Sequence, residues 1–406
     1  MTVTMKPVQP NHLRREAVAG GLKLRCLRDA GMTQDRIDKH LPLAERGFDG
    51  EFEVDDFGNM HLLELGRQFL MSYGIERQKA YGLGNEKLAR ILMGERSDPA
   101  YHITDDFTEL TLDAFNKTLL ASYAEAQATW SSVFRQGESV DDFKDVNEVR
   151  MGAIQNLPVW PDNTDPHVES LSEEKTTYAV EARALEISFS WQLMVNDDTQ
   201  AIANMPFDLG RAAVRTVNAV AWRQITSNPQ QGDGQALYLE TPAGNRKQGN
   251  LITGSASPTV SSVGLMKAKM RLFRAINTRG GGESDAILNI EPAVIAGPAA
   301  IEGSIDQLLF STADPATNLS SAVHNPFTGL TKVIEPLLDA NSSTAFYLFA
   351  DPNVMPVGQV IFLKGQEEPM VNNFVDKRSL SQHYTVVQTF GVKASEFRGS
   401  VKHDGV

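Results

Sequence analysis

Between Tyr178 and Trp191 apolar and polar residues alternate, with Val180, Ala182 and Ala184 in one phase and Leu185, Ile187, Phe189 and Trp191 in the other. Successive strand side chains point to opposite faces, so this period of two with one slip predicts a bent or bulged, half-buried strand. Past Asn196-Asp197-Asp198 the period changes. Phe207, Gly210, Val214, Val217, Ala221 and Ile225 recur at three- and four-residue steps. They predict an amphipathic helix that opens near Pro206 and is stopped by Asn228-Pro229. At about 20 residues it would be about 30 Å long, enough to act as the spine of an extended subunit.

The chain before this pair is helical in pattern. Leu13, Ala17, Leu22, Leu24 and Leu27 predict one helix, Leu62 to Met71 a second and Leu88 to Met93 a third, with Gly31, Gly47, Gly50, Gly58 and Gly74 between them. Ser97-Asp98-Pro99 marks a break. Phe107 to Gln136 then reads as a helical arm with Leu110, Phe115, Leu119, Tyr123 and Trp130 as its contacts. Periodicity alone leaves open whether that arm packs on its own subunit or on a neighbour. Asn156 to Thr177 holds Pro158, Pro161, Pro166, Glu169, Glu173 and Glu174. Lying between strands near Val149 to Ile154 and Tyr178 to Trp191, it predicts a long two-stranded excursion.

Beyond Gly254 helix and strand patterns mix. Leu265 to Ile276 reads as a helix with Leu265, Leu272, Phe273 and Ile276 on its apolar face. Ala286 to Ile290, Ala293 to Ala296, Val333-Ile334, Ala345 to Ala350, Val357 to Leu363 and His383 to Phe390 are strand-like, and Ala299 to Phe310 is helical. The fold class is therefore α+β, a mixed α/β pattern. No internal repeat is visible.

Several of these stretches carry a resemblance. Asn196-Asp197-Asp198, the Gly210 to Ala213 helix segment and Gly232-Asp233-Gly234-Gln235-Ala236-Leu237-Tyr238 resemble the major capsid proteins of Mu-like tailed phages. So do His102-Ile103-Thr104-Asp105-Asp106-Phe107, Asn116-Lys117-Thr118-Leu119-Leu120, Trp130, Asp142-Phe143-Lys144 and the closing Phe390 to Gly399. In some relatives the capsid module is fused to a ClpP-like prohead protease. The resemblance implies a Hong Kong 97-like fold and the following division: helical N-terminal region 1–96, N-terminal arm 97–150, extended loop and flanking strands 151–191, peripheral domain with the spine helix 192–253, axial domain 254–355, and a return to the peripheral domain 356–406. It also implies that arm and loop reach neighbouring subunits. The implied function is a major capsid protein that self-assembles into homo-hexamers and homo-pentamers of an icosahedral shell around double-stranded DNA. Its implied partners are itself, a portal protein, a decoration or cement protein and a scaffold or protease. An internal scaffolding or DNA-packaging protein is the alternative, with a prohead maturation protease behind it. The periodic apolar residues of the N-terminal region favour its retention in the mature shell over cleavage.

Composition narrows the rest. With 41 % hydrophobic and 22 % charged residues the chain is neither disordered nor fibrous. A formal charge of −13 argues against broad coating of nucleic acid, so packaged DNA is expected to meet only weak non-specific contact. That charge also suits ordinary solubility, or an inner wall that repels DNA. Cys26 is the only cysteine, which rules out an intrachain disulfide and a thiolate-rich zinc site. Met1 to Pro10 lacks the apolar run of a signal peptide and no stretch reaches 18 apolar residues. Synthesis and assembly in the host cytoplasm, with no membrane partner, is expected.

Catalytic chemistry finds little support. Gly280-Gly281-Gly282 lacks the Lys-Ser or Lys-Thr of a phosphate loop, and Gly232-Asp233-Gly234 is first a turn. His12, His40, His61, His102, His167, His324, His383 and His403 are scattered singly, with no zinc-protease spacing, and His383 reads as a hydrogen-bonded strand residue. There is no Gly-x-Ser-x-Gly elbow. Some relatives of the broader fold cross-link a loop lysine to an asparagine; Lys175 with Asn372 or Asn373 is the available set, and Lys175 reads as a solvated charge. Lys267, Lys269, Arg271 and Arg274, followed by Arg279, form a basic helix face without the aromatic platform of a single-strand binder. No catalytic, cofactor-binding or metal residue is assigned, and the expectation is a structural protein rather than an enzyme.

Overall fold

The computed structural model describes residues 10–29, 32–34, 37–38, 41, 47–48, 52–53, 57, 60–92, 104–151, 159–160, 162, 165, 173–196, 201–244, 246–255, 257–276, 283–311, 324–376, 378–379 and 381–406. In chain order the elements begin with α1 (Pro10–Asp29), the short pair β1 (Gly47–Phe48) and β2 (Phe52–Glu53), α2 (Leu62–Ser72), α3 (Arg77–Gly82) and α4 (Asn85–Leu92). Next come α5 (Thr104–Glu125), β3 (Arg135–Gln136), β4 (Val146–Met151), β5 (Glu173–Tyr178), β6 (Glu181–Ser190), α6 (Trp191–Val195) and α7 (Ala201–Thr226). The remainder is β7 (Leu251–Ile252), α8 (Val260–Arg271), β8 (Arg274–Ile276), β9 (Glu283–Ile287), β10 (Pro292–Gly297), α9 (Glu302–Phe310), β11 (Thr331–Ile334), β12 (Phe346–Ala350), β13 (Gly358–Phe362), β14 (Met370–Asp376), β15 (Ser381–Ala394) and β16 (Ser400–His403). This is the mixed α+β class that the sequence pattern predicts.

The chain forms two compact units. The first takes Met1–Gln127, Ala182–Val214 and Gly365–Thr389; the second takes Ala128–Glu181, Arg215–Lys364 and Phe390–Val406. In the first unit β14 pairs antiparallel with β15, from Met370 opposite Val387 to Asp376 opposite Ser381, and β6 joins β15. Alternation puts Val371, Tyr384 and Val386 on one face of this sheet, where they are buried with Phe115 and Leu119 of α5, Ala17, Leu22 and Cys26 of α1, and Phe189. Tyr384 anchors that face: its ring centroid lies 4.7 Å from that of Phe115 and 5.5 Å from that of Phe189, and its hydroxyl accepts from Gln382 Nε2 at 2.7 Å. A second cluster joins Leu24 and Leu27 of α1 to Ala121 of α5 and Phe207 of α7. Ser122 Oγ donates to the Phe207 carbonyl at 2.6 Å, and a Cβ on Gly210 would fall 2.5 Å from the Leu119 carbonyl oxygen. Helices α5 and α7 touch there because Gly210 has no side chain.

In the second unit the main sheet runs β11-β10-β12-β16-β7. β10 pairs parallel with β11 and antiparallel with β12, β16 pairs antiparallel with β12 and parallel with β7. All five residues of β12 are buried, as a central strand covered on both faces requires. Val217, Ala221, Trp222 and Ile225 of α7 and Val263, Met266 and Met270 of α8 share its core. Trp222 Nε1 donates to Thr129 Oγ1 at 3.0 Å, and that hydroxyl donates to Glu335 Oε2 at 2.6 Å. A smaller sheet pairs β13 with β3 and with the second half of β15.

Several expectations need correction. The strand predicted over Tyr178 to Trp191 is two strands: β5 ends at Tyr178, Ala179-Val180 interrupt, and β6 stops at Ser190, whose side chain accepts from the Leu193 N–H and caps α6 over Trp191. Helix α7 opens at Ala201 rather than near Pro206, so the proline sits inside it. At the sixth position it lies past the first turn, so its missing N–H forfeits one bond of the helix ladder. The arm helix ends at Glu125, and Trp130 lies in a separate 3₁₀ turn, Thr129–Ser132. Phe115 and Leu119 are buried in their own unit, not held out for a neighbour. Helix α8 buries Val263, Met266 and Met270, whereas Leu265 and Leu272 are 52 % and 51 % exposed. The helix ends at Arg271, so Phe273 and Ile276 never extend its apolar stripe. The closing strand β15 ends at Ala394, followed by a 3₁₀ turn, Phe397–Gly399. Ser97-Asp98-Pro99, Gly280 to Gly282 and most of Asn156 to Ser172 lie outside the described residues.

Candidate functional site

The feature that stands apart is a two-stranded ribbon in the second unit. β4 and β5 pair antiparallel over six residue pairs, from Val146 opposite Tyr178 to Met151 opposite Glu173. Lone two-stranded ribbons are marginal in water, so this one depends on what lies at its ends. At its base Thr177 Oγ1 donates to Asn147 Oδ1 at 3.2 Å and Gln359 Nε2 to Glu148 Oε1 at 3.1 Å. Burial, with the Glu148 charge second, pushes the Tyr178 hydroxyl well above its ordinary range. In the segment between its strands Val159 is 91 % and Trp160 68 % exposed. The two neighbours present apolar surface that burial against another surface would remove from water. Before the ribbon Asp141, Asp142 and Asp145 are exposed; Lys144 Nζ pairs with Asp142 at 2.7 Å and Lys364 Nζ with Asp141 at 3.3 Å.

The other sequence candidates resolve into structural roles. Gly234 has φ +75°, and the Asp233 beside it receives Arg246 at 2.7 Å, so Gly232-Asp233-Gly234 is a turn whose acid is already paired. On α8 Lys267 pairs with Glu291 at 3.0 Å, Arg271 reaches the same carboxylate, and Lys269 Nζ donates to the Leu251 carbonyl at 3.1 Å. Burial holds the Lys269 amine below its usual range. The basic face is thus largely engaged by its own chain. His383 is fixed on both ring nitrogens, 2.8 Å from Glu186 Oε1 and 2.9 Å from Ser381 Oγ, and stacks on Phe374 with 4.5 Å between centroids. Ser381 Oγ is shared with Ser379, which also donates to Asp376. That chain of contacts ties β6 to β15 and holds the imidazole in place. Lys175 stands opposite Val149 in the ribbon, and Asn372 and Asn373 stand opposite Thr385 and Tyr384 in β14. A depression in the second unit is lined by Trp130, Arg135, Val294, Thr331 and Asp351. Its one acid, Asp351, accepts from the Asn353 N–H at 2.8 Å and closes a turn. Among the described residues no cluster of metal-ligating side chains occurs, and no helix is long and apolar enough to cross a membrane.

A family model described as phage capsid protein matches residues 173–403, more than half of the 406-residue chain. The chain belongs to the phage capsid protein family. Its function is that of a capsid protein, a structural component of a phage virion. The match begins with β5 and runs to the last residue of β16, so it includes the descending strand of the ribbon, all of α7 and the whole main sheet. No curated protein sequence matches this capsid protein. Among solved structures it is similar to the mature capsid of bacteriophage PhiM1, with 11 % identity, 68 % of this chain and 86 % of that chain covered, and a TM-score of 0.41. It is also similar to a structure from Mycobacterium phage Che8, with 14 % identity, 69 % and 92 % covered, and a TM-score of 0.41. The capsid of cyanophage P-SCSP1u gives 8 % identity, 66 % and 86 % covered, and 0.45.

Sequence reasoning missed the ion pair of Asp233 with Arg246 and the role of Asn250. The Asn250 side chain donates to the Leu237, Phe397 and Ser400 carbonyls at 2.9, 3.2 and 3.3 Å and accepts from the Leu239 N–H at 2.9 Å. The only signal was a polar residue immediately before the apolar Leu251-Ile252.

Proposed function

We propose that this capsid protein builds the icosahedral shell of a tailed phage by joining copies of itself into hexamers and pentamers in a Hong Kong 97-type arrangement. It does so without catalysis. The observation that carries this reading is the β4–β5 ribbon: a family member displays an extended two-stranded element whose exposed Val159 and Trp160 are suited to burial on another copy. Such burial is worth about 25 cal/mol per Å² of apolar surface, and many copies acting together multiply a modest contact into a closed shell. Residues 97–150, 151–191, 192–253, 254–355 and 356–406 act in this reading as arm, extended loop, peripheral domain, axial domain and return. A portal protein, a decoration protein and a scaffold or separate protease complete the head, which is assembled in the host cytoplasm. Relationship to the Mu-like branch is the reading for its lineage.

Electron microscopy of the purified, assembled protein tests this. Shells with hexamers and pentamers are expected. A protein that stays monomeric, or that forms only an internal core in heads built from another subunit, would reject it in favour of the scaffolding alternative.

A further inference from the structure

We infer that the helices of residues 10–92 are a permanent part of the first unit in the assembled head, not an assembly aid removed on maturation; the particle half of this inference rests on the capsid reading above. A removable segment must leave behind a surface that tolerates water. Here the opposite holds. The sheet face formed by Val371, Tyr384 and Val386, together with Phe115 and Leu119, is buried in one continuous cluster with Ala17, Leu22 and Cys26 of α1, Leu65 and Phe69 of α2, and Leu88 and Ile91 of α4. The start of α7 depends on the same region, since Phe207 is buried with Leu24 and Leu27. The Arg90 guanidinium lies 4.7 Å over the Trp191 ring, which links α4 to α6.

The packing within the region is built to the same tolerance as the rest. A Cβ on Gly21 would come within 2.3 Å of Phe57 Cβ, and one on Gly66 within 2.3 Å of Leu92 Cδ1. At both glycines the neighbour occupies the space a side chain would need, as in a close-packed interior. Excision would bare Phe115, Leu119, Tyr384 and Phe207 together, an apolar patch of a kind that soluble proteins avoid.

Three measurements decide the matter. Intact-mass spectrometry of protein from DNA-filled particles is expected to give the full chain; a dominant species starting between residues 93 and 104 would overturn the inference. A full-length chain with a specific protease site placed between residues 92 and 104 is expected, once cut, to keep both fragments together in size-exclusion chromatography until denaturant is added. Release of the amino-terminal fragment from a still folded remainder would overturn it, and this arm reads the shared core even if no shell forms. Leu27→Asp in the uncut chain is expected to lower the melting temperature by several degrees, and an unchanged transition counts against a shared core.

Discussion

The guanidinium of Arg246 meets both carboxylate oxygens of Asp233, Nε to Oδ2 at 2.7 Å and Nη2 to Oδ1 at 3.0 Å. The two side chains are only 2 % and 4 % exposed. The same guanidinium donates to the Ala236 carbonyl at 2.8 Å and lies 3.9 Å from the centre of the Phe397 ring. One cation therefore closes the Asp233–Arg246 loop and seats it on the segment before β16. Replacing both partners by apolar residues of matched volume is a small perturbation, but removing one strands a charge. Arg246→Met is expected to destabilise the second unit by about 3–5 kcal/mol. Chemical denaturation checks this, and the double variant Arg246→Met with Asp233→Leu should recover much of the loss. A single variant as stable as the parent would remove the pair from the list of supports.

Val217 lies on the buried face of α7 with no exposed surface. Val217→Asp sets a carboxylate among Trp222, Val263 and their neighbours, at a cost of several kcal/mol unless the acid takes up a proton. Soluble yield should fall sharply. A normal melting temperature for this variant would show that the helix had rotated or that the face is wet.

The ribbon is expected to serve association rather than folding of its own subunit. Replacing residues 152–172 by a short turn keeps both strands of the ladder and should leave circular dichroism and thermal unfolding of the free subunit unchanged while shells fail to form. Trp160→Ser is the milder form, expected to slow assembly with no change in subunit stability. Shell formation at parental rates in both variants would mean that contacts elsewhere suffice.

His403 is buried on β16, stacked on Phe346 with 4.9 Å between centroids, and its Nδ1 accepts from the Gly405 N–H at 3.1 Å. Burial pulls its pKa below the ordinary value, and the nearby Asp404 opposes that only in part. The folded state therefore favours the neutral ring. Its contribution to stability is complete above the unfolded value of about 6.5 and is lost as pH falls through the depressed folded value. Melting temperature should decline on acidification from pH 7 to pH 5, with a shallower slope in His403→Gln. Equal slopes would assign the decline to other groups.

The long elements were legible because their signals were redundant. Helix α7 displays Val214, Val217, Ala221 and Ile225 at helical spacing, and all four are buried. Strands β10 and β12 showed as short apolar runs because both faces are covered and nothing polar interrupts them, while β13 carries a single polar break at Gln359. Helix α8 misled because Leu265 and Leu272, the residue just past its end, fit a helical repeat as well as Val263, Met266 and Met270 do, and periodicity cannot say which set meets the core. The phase slip at Ala184-Leu185 falls inside β6, whereas the break at Ala179-Val180 leaves Val180 in step with Ala182 and so no mark on the alternation. Pairing was out of reach. Neither the parallel register of β10 with β11 nor the meeting of Asp233 with Arg246 leaves a local trace, since each depends on how distant segments return to one another.

The position of β16 sets a timetable for the ribosome. It lies between β12 and β7, and Asn250, next to β7, bonds to Ser400 across 150 positions of sequence. The sheet therefore cannot close while residues 400–403 are still inside the exit tunnel, and a nascent chain already carrying α7, α8 and β12 must wait with the slot for Val401 empty. Contacts of such long range slow folding and leave apolar strand edges open to wrong partners. Until β16 arrives, the slot beside β12 is an open strand edge on which another copy can pair.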